Sequence, residues 1–395
     1  MKIAMMVRGF LTTPVPENVA YSPATVAKSV AEGLTELGHE VTFYGPEGTD
    51  LKVTNVETCS QRPSVHTQQE MDEFVGSSEL FKDYLPGLYD TRMARHMLEQ
   101  AKKGEFDCVV FNHFESALPL AALFPSVPIV YIVHDFIDET RREIIEANLS
   151  DNQHFISISD SQRRDAPDLP YADTVYNGIN TDEFELEEDA EDYLMFSGRI
   201  TPDKGVKEAV QVAMQSGRML LIAGSLVKAD YWYFEEHVKP FLNDKILFLG
   251  MLDKEQLIKY YQKAAGLLMP IQWSEPFGLS MAEANACGTP VIAFRRGSVP
   301  EVVVDGKTGY IVDNSAEMIM AISKIKNIKR KDCREHVEKN FTRDIMIRNY
   351  DEVLKSIVQD KTKRIPETTN QKDDKFKKRF KKISRRIISN DPRSW

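Results

Sequence analysis

The chain has 395 residues, 42% apolar and 28% charged, with a formal net charge of −10. That length exceeds one ordinary core and implies two or three domains of a soluble globular kind. No run of about 18 apolar residues occurs, so no membrane-spanning helix is expected, and the scattered Cys59, Cys108, Cys287 and Cys333 argue against a zinc site or disulfide scaffold and fit a reducing cytoplasm.

The N-terminal MKIAMMV carries one Lys and a short apolar run before Arg8 and Gly9, with no signal-like cleavage region, and reads as a first strand. Further strands are expected at 40–45, 108–112, 128–133, 154–159 and 173–179, then at 193–198, 219–224, 245–250, 266–271, 290–294 and 309–312. These runs are apolar throughout rather than alternating, as parallel strands covered on both faces require. Helical stretches separate many of them. SPATVAKSVAEGLTELG is expected to be capped by Ser22, with Pro23 at its first position and Gly38 as its stop. DKEQLIKYYQKAAG again opens with Asp and closes with Gly. Strand–helix alternation twice over predicts two doubly wound α/β domains. Their join falls at 178–192, an acidic stretch expected to be a solvated linker. The expected units are 1–182, 183–341, a terminal helix 342–360 that crosses back to the first unit, and a tail 361–395.

Two such domains face one cleft with the C-terminal ends of their strands, where ligands bind in open sheets. The polar residues there are Arg8 to Phe10, His113 and His134 in the first half, and Gly198, Arg199 and Ser225 in the second. The stretch SEPFGLSMAE stands out. GLLMPI reads as a strand, QWSEP as a turn and FGLSMAEANACG as a helix stopped by Gly288, so a helix mouth lies in the cleft. Its first N–H groups, expected from Phe277, Gly278 and Leu279, lack internal partners and favour an anion such as a diphosphate. Glu275 before the mouth accepts hydrogen bonds and suits hydroxyls. Glu283, about 12 Å further if both lay on one helical axis, suits hydroxyls at the other end of the same ligand. Taken alone, the pair also fits a dipole-capping Glu275 and a surface Glu283. Arg199 and Lys204, five residues apart at a strand-to-helix turn, add two cations that can meet a diphosphate. A ligand with hydroxyls, then phosphates, then hydroxyls is a sugar nucleotide.

FSGRITPDKGV, SEPFGLSMAEANACGTPVIAFRRGSVPEVVVDGKTGYIVD and YNGIN resemble the motif set of retaining, family-4-type glycosyltransferases of the GT-B fold. The match is specific from about 176 to 313; in the first half it rests on GLTELGHEVTFYGP and the His ending VYIVHD. The resemblance implies two facing Rossmann-like domains, a nucleoside-diphosphate sugar donor (a UDP-sugar foremost), a hydroxyl acceptor that includes lipid-linked or membrane glycans, and no metal; no Asp-x-Asp occurs. It makes Arg199, Lys204, Glu275 and His134 the catalytic set. It places the donor on Phe277, Gly278, Leu279, Glu283, Gly9 and Ser225, with the base also near 248–253. Asp135 would orient His134 or cap the next helix, and His113 would position the acceptor. The first loop departs from the family, with prolines and Tyr21-Ser22 where a glycine pair is expected. A sugar-nucleotide epimerase of the same fold and a non-catalytic nucleotide-sugar-binding module remain alternatives. A dehydrogenase is disfavoured, since no G-x-G-x-x-G follows the first strand.

Charge is uneven. From Lys361 onward 13 Lys and Arg face 4 Asp and Glu, leaving the first 360 residues at −19. Such an acidic body suits no nucleic acid. In the tail, Phe376, Phe380, Ile383 and Ile387 lie on one helical face and Lys or Arg cover the rest. This basic amphipathic pattern at 374–389 suits an anionic membrane surface and a cytoplasmic protein docked peripherally on the inner face; a solubilising tail and an RNA-binding tail are the alternatives.

Overall fold

The computed structural model describes residues 1–16, 19–75, 80–226 and 228–363. Two parallel sheets are built in succession. The first contains β1 (Lys2–Met6), β2 (Glu40–Tyr44), β3 (Asn55–Glu57), β4 (Cys108–Phe111), β5 (Ile129–Val133), β6 (Gln153–Ser157) and β7 (Tyr171–Thr174), in the order β3-β2-β1-β4-β5-β6-β7. The second contains β8 (Tyr193–Ser197), β9 (Met219–Ala223), β10 (Ile246–Gly250), β11 (Gly266–Met269), β12 (Val291–Phe294) and β13 (Gly309–Val312), in the order β10-β9-β8-β11-β12-β13. Helices α1 (Ser22–Glu36), α2 (Gln68–Val75), α3 (Leu80–Lys102), α4 (Glu139–Ala147) and α5 (Asp160–Arg163) accompany the first sheet. With the second come α6 (Val206–Ser216), α7 (Tyr231–His237), α8 (Lys254–Lys263), α9 (Leu279–Ala286), α10 (Val299–Val302), α11 (Ser315–Lys324) and α12 (Arg330–Asn340). The last is α13 (Arg343–Lys363). Two Rossmann-like units of this kind form a GT-B architecture. No helix among the described residues is long and apolar enough to cross a membrane.

The central strands are buried along their length, as β4, β5, β11 and β12 show, which is why each reads as a continuous apolar run. The edge strands β3, β7 and β10 are more exposed, and the NVE of β3 is too short and polar to carry a pattern. The strand expected at 173–179 lies earlier, at Tyr171–Thr174. Beyond it the chain leaves the sheet, and Ile179 bridges to Thr342 instead.

Helix ends follow local chemistry with two corrections. Tyr21, at φ −144° and ψ 89°, is the cap residue of α1, so Ser22 and Pro23 occupy its first two positions; Gly38, at φ 88°, closes it. Asp253 caps α8 in a reciprocal box with Gln256, but α8 ends at Ala264. Gly266 is instead the first residue of β11, where a Cβ would lie 2.1 Å from Ile325 Cδ1.

The acidic stretch 178–192 is largely exposed, as expected of a linker, but it is pinned at several points. Phe184 is buried, Glu183 pairs with Lys254 and Glu187 pairs with Lys263 at 2.7 Å. Arg330 and Arg334 bind the carbonyls of Glu187 and Phe184. After α12 the chain returns: α13 packs on α1, burying Met346, Ile347, Tyr350, Leu354 and Ile357, and a Cβ at Gly33 would lie 2.1 Å from Ile347 Cδ1. His39–Asp351 at 2.8 Å and a two-pronged Arg343–Glu36 pair at 2.8 and 2.9 Å fasten it.

Candidate active site between the two sheets

In each sheet the strand order reverses once, between β1 and β4 and between β8 and β11. Crevices form at such reversals, outside the C-terminal strand ends. Arg8 to Phe10, His113, Arg199, Lys204 and Glu275 follow the strands at these two points, and His134 and Ser225 follow the next strands, β5 and β9.

On the second sheet, β8 leads to Arg199 and Lys204, and β11 leads to Trp273 and Glu275. Lys204 Nζ lies 2.6 Å from Glu275 Oε2, and the Trp273 indole N–H donates to the same oxygen at 3.0 Å. The ammonium also sits 4.7 Å from the centre of the Trp273 ring. Glu275 is only 7% exposed, so this double contact satisfies a buried charge that would otherwise be costly. Both of these contacts fall on Oε2 and none of the described ones on Oε1. The loops that carry the pair touch directly. Gln272 N–H donates to Asp203 O at 2.7 Å, and at Gly205 (φ 75°) a Cβ would lie 1.9 Å from Pro270 O. Ser298 N–H binds Glu275 O at 2.9 Å, and Ser298 Oγ–H donates to Phe277 O at 2.8 Å.

Arg199 is more open, with Asp203 at 4.0 Å. It also attracts Asp230, whose carboxyl is nevertheless pushed above the usual range by burial and by Asp203. Ser225 is buried, and its carbonyl accepts from Ile200 N–H at 3.0 Å, tying the β9 exit to the Arg199 loop.

The helix mouth is shifted from expectation. Helix α9 begins at Leu279, with Gly278 at φ 76° as its cap residue, while Phe277 is buried one residue ahead. Of the expected donor trio, therefore, Leu279 alone lies in the helix. Glu275 is not helical, so the simple axial spacing to Glu283 does not apply. Glu283 is half-buried in the second turn of α9, and its pKa is pushed up to about 7. Burial is the main cause; Lys254 and the Tyr261 hydroxyl favour the carboxylate, and Glu183 opposes it.

On the first sheet, His134 follows β5 and its Nε2 pairs with Asn112 Oδ1 at 3.0 Å. Burial lowers its pKa to about 4, with Asp135 pulling the other way. Asp135 caps nothing; Asp138 caps α4. His113 is buried, with Nε2 2.5 Å from Ser116 Oγ, and burial, Arg8 and His134 lower its pKa to about 3. Gly9 serves the loop itself. Its N–H donates to Asp90 Oδ1 at 2.8 Å and its carbonyl accepts from Gln61 at 3.2 Å, so both groups are engaged within the first unit. Asp90 also meets Arg8 at 3.5 Å, and the Arg8 guanidinium stacks on Phe10, which packs edge-on against Tyr21.

Sequence reasoning missed Trp273, Asn112 and Asp90. Trp273 and Asn112 lie beside residues already singled out, at the same strand ends. Asp90 gives no local signal, because it reaches Arg8 and Gly9 from α3.

Glu301, on α10, joins the two units. Its carboxylate accepts from the N–H groups of Asp160 and Ser161 at 2.8 and 2.7 Å and from the Tyr176 hydroxyl at 2.9 Å. Among the described residues, no group of three or more His, Cys, Asp and Glu could hold a metal ion.

Two family models match the chain in succession: Glycosyltransferase Family 4 over residues 23–183 and Glycosyl transferases group 1 over 179–342. A D-inositol 3-phosphate glycosyltransferase from Mycolicibacterium smegmatis is 31% identical over 193 residues, covering 45% of this chain and 43% of that protein. An N-acetyl-alpha-D-glucosaminyl L-malate synthase from Bacillus anthracis is 24% identical over 377 residues, covering 85% and 94%. The chain spans only about half the length, or less, of the first curated relatives it matches. A sucrose-phosphate synthase structure from Thermosynechococcus elongatus superposes with a TM-score of 0.73 at 19% identity, covering 91% of this chain and all of that one. With the two sheets, the paired switch points and the two models running end to end, the chain belongs to the GT-B-fold glycosyltransferases of the group 1 and family 4 kind.

Proposed function

We propose that the protein is a retaining glycosyltransferase that moves a hexosyl unit from a nucleoside-diphosphate sugar, a UDP-sugar foremost, to a hydroxyl acceptor. The observation that carries this reading is the Lys204–Glu275–Trp273 cluster beside the mouth of α9. In the reaction the sugar carbon becomes oxocarbenium-like while negative charge grows on the departing diphosphate. Arg199, Lys204 and the N–H groups around Gly278 and Leu279 offer fixed positive charge where that growth occurs. Glu275 Oε1 takes donor-sugar hydroxyls, Glu283 takes ribose hydroxyls, and Ser225 lies toward the base. Phe277, buried under the loop, supports the mouth. His134, neutral at pH 7, faces the donor sugar from the first unit. The first unit (1–182) holds the acceptor, the second (183–341) holds the donor, and 342–360 ties them together.

A thermal-shift panel of nucleotide sugars tests the donor. The true one at 100 times its dissociation constant adds about 2.7 kcal/mol. Incubation with that donor alone separates chemistries: slow release of nucleoside diphosphate supports transfer, sugar interconversion supports an epimerase, and binding without turnover supports a non-catalytic module.

The basic amphipathic stretch 374–389 lies outside the described residues. It extends the acceptor reading to lipid-linked or membrane glycans. The full chain should pellet with anionic vesicles, weaken with salt, and lose binding when cut after Ile365; equal binding by the cut chain points to a soluble acceptor.

A further inference from the structure

A groove of about 870 Å³ runs between α13 and the β6–β7 edge of the first sheet. It takes in Gln153 and His154 at the start of β6 and the whole of β7, from Tyr171 to Thr174, away from the switch point between β1 and β4. Its floor sets the partly exposed Leu149 and Tyr171, over the buried Val353 and Ile357, among the polar Gln153 and Asn349. Its rim is acidic, with the exposed carboxylates of Asp168, Asp173 and Glu352. One cation stands close by: the Arg163 guanidinium, 4.7 Å over the Tyr171 ring. β7 pairs on one side only, with β6, so the groove follows an open sheet edge.

We propose that this groove is the docking site of the chain's own basic segment 374–389. The match is one of pattern and charge. Phe376, Phe380, Ile383 and Ile387 are spaced so that a helix would align them over Leu149 and Tyr171, and the eight Lys and Arg around them match an acidic rim. The tail carries +9 and the body −19. Proximity adds to this. The groove is walled by the last turns of α13, the helix from which the tail departs. The ten residues from Arg364 to Asp373 reach up to about 35 Å when extended. A sixteen-residue helix is about 24 Å long, so the connection is ample for the segment to fold back beside α13. Short tethers of this kind raise the effective concentration of a docking segment to about the millimolar range, so modest contacts suffice. Docking would cover the same apolar face that an anionic membrane would take, placing groove and lipid in competition.

Hydrogen exchange on the full chain tests this at low salt and without lipid. Residues 374–389 should exchange at least about tenfold more slowly than an unstructured chain, with matching protection at 171–174, and salt should erase both. Asp173→Lys with Glu352→Lys, two exposed positions, should abolish the protection. Lys381→Glu with Lys382→Glu should abolish it too, and combining the two pairs should restore it. The proposal is overturned if the tail exchanges freely in the unaltered chain or if groove charge reversal leaves its protection intact. Protection that depends on protein concentration, indicating a second copy, overturns it too, as does protection that appears only with anionic vesicles.

Discussion

Lys204 and Glu275 are 71 residues apart in the chain and 2.6 Å apart in space, the ammonium seated between a carboxylate and the Trp273 ring. The pair holds two loops in one geometry before any ligand arrives. Arg199→Ala, Lys204→Ala and Glu275→Ala should each lower turnover at least about 100-fold with the fold intact by circular dichroism. Because Lys204 and Glu275 share one contact, the double variant should lose little more than the worse single one. Near-normal turnover in Arg199→Ala and Lys204→Ala together would remove the diphosphate assignment.

Glu283 titrates near pH 7 in the folded chain, above the ordinary value of 4.5. The folded state therefore holds this proton where the unfolded chain has lost it, and the contribution to stability falls as pH rises from 4.5 to 7. Donor affinity should run the other way. A carboxylate accepts two ribose hydroxyls better than a carboxylic acid, so binding should tighten as pH rises through 7. Glu283→Gln should flatten that slope in a calorimetric titration and leave turnover at saturating donor nearly unchanged.

His113 and His134 show the opposite sign. Their folded values lie near 3 and 4, below the ordinary 6.5. The unfolded chain binds more protons between, so stability should fall as pH drops from about 6.5 toward 4. Urea melts of His113→Gln should show a shallower decline over that window. A decline as steep as that of the unaltered chain would mean that this ring is not the buried neutral base described.

Glu301 holds the mouth of α5 and Tyr176 from the other unit. Removing a charged acceptor of this kind costs about 2 kcal/mol. Glu301→Ala should lower the melting temperature and widen the distribution of interdomain distances measured by spin labels, while Glu301→Asp should recover part of both. An unchanged distance distribution would place the restraint elsewhere.

The sheets were legible because fully covered parallel strands are apolar along their whole length. NVE at 55–57, at one edge, escaped, and β7 at the other edge was placed too late in the chain. The site was legible where chemistry and sequence neighbourhood coincide: Lys204 beside Gly205, and Glu275 between a strand and a helix. It was not legible where contacts depend on the folded path. Asp90 reaches Gly9 from 81 residues away, and Glu301 reaches Ser161 from 140. Nothing local marks either one. Along the acidic run 178–192 most side chains are exposed, as a string of carboxylates suggests, but the partners that pin it, Lys254, Lys263, Arg330 and Arg334, come from two later helices, α8 and α12, and nothing local announces them.

The chain crosses between its units twice, at Ile179 and at Thr342, and the two crossings are bonded side by side: Ile179 N–H to Phe341 O at 2.9 Å and Arg343 N–H to Ile179 O at 2.8 Å. Gly178 lies so close that a Cβ would stand 2.2 Å from Thr342 O. Two tethers at one spot remove sliding and leave turning as the easy degree of freedom. The cleft then behaves as the far end of a lever, where a small twist at a spot with no catalytic group becomes a large change in gap. A methyl group added at Gly178 would act on the stroke of that lever, altering how often the two halves meet while touching neither substrate.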